Sequence, residues 1–125
     1  MGIDIYAVWK GQTVAEKNAQ ITGFSVVSGR LGYLREAYHG EPYVTKYLCR
    51  EAFESPNGWA QIAAEALRER LPEAIRLAKE RQREIYGVAK PEDINPILDS
   101  YRDFVGLCEE KEEEMGEPVA IVANY

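Results

Sequence analysis

The stretch GIDIYAVW, residues 2–9, decides the fold. Ile3, Ile5, Ala7 and Trp9 recur at every second position, and Asp4, Tyr6 and Val8 fill the alternate face. A period of two is that of a strand. Both faces carry apolar residues, which suits an interior strand, and Gly11 ends it. The opposite end of the sequence repeats the pattern. In VAIVANY, residues 119–125, the positions Val119, Ile121, Ala123 and Tyr125 share one face. An apolar tail frays unless it is tied into a sheet. Strands 2–9 and 119–125 are therefore expected side by side.

Between these ends the pattern is mostly helical. Thr13 and Glu16 have capping-box spacing, which starts a short helix from Val14 to about Gln20. Phe24–Val27 reads as a brief strand. Gly32 and Gly40 bracket Tyr33–His39, read as a two-turn helix, and Pro42 opens another that runs to about Phe53. Ser55-Pro-Asn-Gly58 is a break. From Trp59 the apolar residues Ile62, Ala63, Ala66, Leu67 and Leu71 follow a helical period. Pro72 is expected to divide this region into two helices, the second closed by Gly87. Asn95-Pro96 reads as a cap followed by proline at the first helical position. Ile97, Leu98, Tyr101, Phe104, Val105 and Cys108 then form one stripe of a helix spanning about 95–115. Gly116 and Pro118 end it.

The expected architecture is α+β or α/β, as a single domain over residues 1–125. A small sheet of about three strands is covered by four to five helices. The chain is 46% hydrophobic and 29% charged, which excludes a disordered composition. Its net charge is −6, and the segment Glu109–Glu117, with six glutamates and one lysine, accounts for most of it. No broad basic stripe remains, so nucleic-acid binding is not expected. The arginines between 68 and 83 alternate with glutamates and read as a solvated helix face. No apolar run reaches the ~18 residues of a membrane span, no leader-like segment stands at the start, and Cys49 and Cys108 lack metal or disulfide spacing. The expected location is the cytoplasm, with no membrane contact and both thiols reduced.

Residues 29–43 concentrate the polar aromatic and charged side chains. Arg30, Tyr33, Arg35, Tyr38 and Tyr43 are candidate binding residues, because tyrosine and arginine combine contact area with a directional polar tip. The plainer reading is a joint between elements, with its aromatics in the core and its charges solvated. His39 is the sole histidine, and with Glu36 and Asp4 it forms the candidate catalytic set. Asp4, Glu36, His39 and Glu54 could be combined as an oxygen-rich magnesium or manganese site, but only residue availability supports this, and no metal or cofactor is expected. Ser28-Gly-Arg-Leu-Gly32 lacks the phosphate-loop pattern and reads as a turn.

Two functions follow. The first is a small non-enzymatic interaction or regulatory protein that uses residues 29–43 toward a protein partner or as a homodimer. The alternative is a small hydrolase or transferase built around His39, with or without a divalent metal. The second requires His39 to lie in a cleft beside a carboxylate.

Overall fold

A computed structural model of the protein describes residues 2–22, 29–87 and 91–125. In chain order the elements are β1 (Gly2–Val8), α1 (Val14–Thr22), a 3-10 turn (Gly29–Leu31), β2 (Tyr33–Ala37), α2 (Val44–Leu48), α3 (Arg50–Glu54), β3 (Trp59–Ile62), α4 (Ala64–Tyr86), α5 (Pro91–Met115) and β4 (Val119–Asn124). The strand expected at Phe24–Val27 lies outside the described residues. Among the described residues the architecture is α+β: an antiparallel sheet in the order β2-β1-β4-β3, with five helices.

The terminal strands pair as the alternation predicts, with Ile5 opposite Ala123 and Ala7 opposite Ile121. Their even partition into two faces is visible in the burial. Ile3, Ile5, Ala7 and Ile121 are buried, while Asp4, Tyr6, Val8 and Val122 are half-buried on the other face. The inner face joins Leu48 of α2, Leu67 of α4 and Phe104 of α5 in one hydrophobic cluster. Each such side chain contributes roughly 1.5–3 kcal/mol on burial.

The ladder has a definite parity. Ala7 donates its N–H to the Gly32 carbonyl at 2.7 Å, and Ala123 donates to Gly58 at 2.8 Å. Residues of an antiparallel pair alternate between bonding across it and turning their main-chain groups away. Leu34 and Glu36 therefore bond to β1. Tyr33, Arg35 and Ala37 turn their main-chain groups to the outer edge of the sheet.

Five expectations need correction. Tyr33–Ala37 is a strand, not a helix. Its period of two is hidden because a glutamate, Glu36, occupies an inward position beside Leu34. Trp59–Ile62 is also a strand, and four residues are too few to display their period against the helix that follows. Helix α4 runs unbroken through Pro72. Burial of Leu67, Leu71, Ala74, Ile75 and Ala78 along one stripe outweighs the roughly 3 kcal/mol that an interior proline costs. Finally, α5 begins at Pro91, so Asn95-Pro96 lies inside it, and the helix expected over 42–53 divides at Cys49 into α2 and α3.

The acidic end of α5 has a structural role. Ala63 precedes α4 and offers no side-chain cap. Glu112 supplies one from the neighbouring helix, accepting the Ala64 N–H at 3.1 Å, where a negative charge suits a helix N-terminus. Glu109 pairs with Arg68. Arg70 clamps α3 to α4. It reaches both Glu51 oxygens at 2.7 Å and the Leu48 carbonyl at 2.9 Å.

The Arg70 hydrogen bonds hold the Glu51 carboxyl below its ordinary value of 4.5, against a smaller upward push from burial. A depressed carboxylate contributes stability that is fully present above its unfolded value and lost as pH falls through the folded one. Glu51→Gln should thus cost about 1 kcal/mol at neutral pH and flatten the loss of stability below pH 4.5. Urea midpoints measured for both proteins across that range check this. An unchanged acid slope in the variant would refute the clamp.

Candidate functional site

Residues 33–45 position the candidate site. Glu36 points inward from β2 and is 7% exposed. Its Oε2 accepts the Val44 N–H and the His39 Nε2–H, both at 2.9 Å. Its Oε1 accepts the Thr45 N–H at 2.9 Å and the Thr45 hydroxyl at 2.7 Å. Four donors saturate the carboxylate. Two of them are the first main-chain amides of α2, whose preceding residue, Tyr43, provides no side-chain cap. Glu36 therefore performs that capping from a neighbouring strand.

His39 is equally committed. Arg81 of α4 donates from Nη2 to His39 Nδ1 at 2.7 Å, to the His39 carbonyl at 3.0 Å and to the Gly40 carbonyl at 2.9 Å. The Gly40 carbonyl also faces Nδ1, at 3.0 Å, while the Glu36 carboxylate faces Nε2 and can only accept from it. The Tyr43 ring lies 4.8 Å from the imidazole, and its hydroxyl accepts the Gly40 N–H at 3.1 Å. Strand, loop and two helices are thus joined through one carboxylate, one imidazole and one guanidinium.

Beside this network is a cleft of about 220 Å³ between the outer edge of β2 and helices α4 and α5. Arg35, Ala37, Glu36, His39, Arg81 and Tyr101 are among its lining. The Tyr101 side chain is 4% exposed, and among the described residues its hydroxyl has no hydrogen-bond partner. Burial, then the nearby Glu36 charge, pushes that hydroxyl well above the ordinary tyrosine value. Among the described residues, the buried Nε of Arg81 also lacks a partner. Among the described residues, neither serine, threonine, cysteine nor lysine lines the cleft.

The other sequence-selected residues are dispersed. Asp4 faces Arg35 across the β1–β2 pair, on the opposite side of the sheet from Glu36. There its Oδ1 accepts from the Tyr33 hydroxyl at 2.6 Å and from Arg35 at 2.7 Å. Tyr33 is fully buried, and burial, then the hydrogen bond to Asp4, pushes its hydroxyl up to about 12. The Asp4, Glu36 and His39 set is therefore split between two faces. Among the described residues, no cluster of three or more His, Cys, Asp and Glu side chains is placed to hold a metal ion. Arg30 is 83% exposed and pairs with Asp103 at 3.3 Å, away from the cleft. Tyr38 is half-exposed.

Arg81, Thr45 and Tyr101 were not selected from the sequence. Thr45 had a signal, a hydroxyl just past a helix start. Arg81 had none, because it lies 42 residues from His39 within a helix rich in charge. Cys49 and Cys108 are free and buried, and burial pushes the Cys108 thiol up to about 12. No described helix is long and apolar enough to cross a membrane. Comparison of the chain with known protein families, curated proteins and solved structures finds no match.

Proposed function

We propose that the chain is a small, single-domain, non-enzymatic interaction protein of the cytoplasm that uses residues 29–43 to engage a protein partner or a second copy of itself. One observation carries this reading. Every polar atom of the Glu36 and His39 side chains is spent within the chain, so the pair holds the segment in place and leaves no group free to move a proton. The contact groups beside it remain available: Tyr38 is 50% exposed, and Arg30 is more exposed still. Rigid support under exposed tyrosine and arginine suits recognition. The two buried, unoxidised thiols support a reducing compartment.

The hydrolase or transferase reading retains one favourable observation: His39 lines a cleft beside Glu36. One experiment separates the two. Solution mass is measured over a range of concentrations, with Tyr38→Ala, Arg30→Ala and Tyr43→Ala as variants. Tyr33 is left out because it is wholly buried. Self-association or binding to a purified partner, weakened about tenfold or more by Tyr38→Ala, is the expected result. A monomer at every concentration, together with turnover of any substrate that is abolished in His39→Ala, would replace the interaction reading with the enzymatic one.

A further inference from the structure

Nδ1 of His39 stands between two groups with opposite demands. Arg81 Nη2, at 2.7 Å, can only donate, and the Gly40 carbonyl, at 3.0 Å, can only accept. The same Nη2 also reaches the Gly40 carbonyl at 2.9 Å and the His39 carbonyl at 3.0 Å. With a lone pair on Nδ1, the ring accepts from Arg81, and Arg81 serves the Gly40 carbonyl as well. With a proton on Nδ1, Arg81 meets a donor that carries its own sign of charge, and the Gly40 carbonyl takes the new N–H instead. Nε2 is the same in both states, because its hydrogen is held by Glu36 at 2.9 Å. One proton therefore exchanges one partner for another, on the side chain whose charge ordinarily changes between about pH 5 and 8.

The surroundings give Arg81 a reason to leave and a place to go. Facing the imidazole are the Glu36 carboxylate from β2, the Arg81 guanidinium from α4 and the Tyr43 ring from the start of α2, 4.8 Å away. Arg35 of β2 and Tyr101 of α5 line the adjoining cleft. Arg35 is engaged by Asp4 on the opposite face of the sheet, so Arg81 supplies the like charge. Among the described residues the Arg81 Nε has no partner, so Nη2 alone binds the guanidinium to residues 39 and 40. Protonation takes two of its three acceptors, Nδ1 and the Gly40 carbonyl. Nη1 already holds Glu84, a half-exposed carboxylate one turn along the same helix, at 3.1 Å.

We propose that His39 and Arg81 form a pH-sensitive latch between α4 and residues 39–43: a proton on Nδ1 releases Arg81 toward Glu84, and its loss draws Arg81 back. The proton comes from solvent and returns there. It is held between ring and carbonyl and passed to no substrate, so the ring keeps its structural role. The latch belongs to the isolated chain and does not depend on the interaction reading.

The test is an NMR titration of the full chain, labelled with nitrogen-15, from pH 8 to pH 5. Nδ1 should change from a lone-pair to an N–H nitrogen, while Nε2 remains N–H throughout. With the same midpoint, the buried Arg81 Nε–H should lose about tenfold or more of its protection from solvent exchange, after correction for the intrinsic pH dependence. Main-chain amides of β1 and β4 should stay protected. In His39→Asn, which keeps a polar group but cannot charge, the Arg81 signals should be level across the range. In Arg81→Gln, removal of the like charge should move the ring titration upward by about one pH unit or more. The parent chain decides the matter alone if either variant fails to fold. A ring that takes up the proton while the Arg81 Nε–H stays shielded would overturn the latch. So would a ring that takes up no proton in this range, or a loss of protection shared by α4 and the sheet, which is acid unfolding. All of these outcomes leave the interaction reading untouched.

Discussion

Replacing Gly29 with alanine should unfold a large share of the molecules at physiological temperature. A Cβ on Gly29 would lie 1.9 Å from the Ser100 carbonyl oxygen and 2.4 Å from the Phe104 nitrogen. Both are main-chain atoms of α5, so no rotamer change can relieve the contact. Either α5 moves outward or the 3-10 turn does, and α5 carries Phe104 and Val105, both fully buried in the core. Overpacking against side chains typically costs ~1–3 kcal/mol, and against two main-chain atoms the cost should reach about 3–5 kcal/mol. Chemical denaturation with unchanged slope and a lowered midpoint is the expected signature. A variant within about 0.5 kcal/mol of the parent would mean that the turn does not press on the helix in this way.

Substituting Glu36 with glutamine should be nearly as damaging, although it changes little in size. The carboxylate receives four donors: two main-chain amides, a hydroxyl and an imidazole N–H. A glutamine side chain sets an NH2 against donors wherever it turns. If the amide replaces Oε2, it opposes the Val44 N–H and the His39 N–H. If it replaces Oε1, it opposes the Thr45 N–H. Removing the buried charge that organises such a network should cost about 3–5 kcal/mol. The effect should spread beyond stability, because α2 loses its cap and His39 loses one of its two anchors. In NMR spectra, the amides of Val44 and Thr45 should shift most. Were they to stay in place, with stability unchanged, Glu36 would not be the joint between β2 and α2.

These two positions also show where sequence reasoning succeeds. Ile3, Ile5 and Ala7 announce an inner strand face because strand periodicity is local, and the capping box at Thr13 is realised with both reciprocal bonds, at 2.9 and 3.1 Å. The stripe from Leu98 to Cys108 is equally local, and it is buried as its spacing implies. Glu36 breaks the reading of its own strand. A charged inward position is expensive unless donors from another element compensate it, and those donors, Val44 and Thr45, become its neighbours only once the chain has folded. The same holds for Arg68, which could reach Glu65 along its own helix yet pairs with Glu109 of α5. Glu36 and His39 could be chosen by chemical type, but Arg81 and Tyr101 become their companions through the packing of α4 and α5 against β2. The outer-edge orientation of Arg35 and Ala37 is a property of hydrogen-bond parity and has no signature in residue identity.

The strand order has a kinetic consequence. β1 lies at the middle of the sheet between β2, its near neighbour in sequence, and β4, its most distant one. Folding can close the β1–β2 pair and the α4–α5 pair early, since both join segments nearer in sequence than β1 and β4. The central ladder demands a search over almost the whole length of the polypeptide, and high contact order slows such searches. During synthesis, Ile3, Ile5 and Ala7 leave the ribosome long before their partner strand exists. For that interval one side of β1 is an unpaired apolar edge, the period in which this protein is most in need of a chaperone.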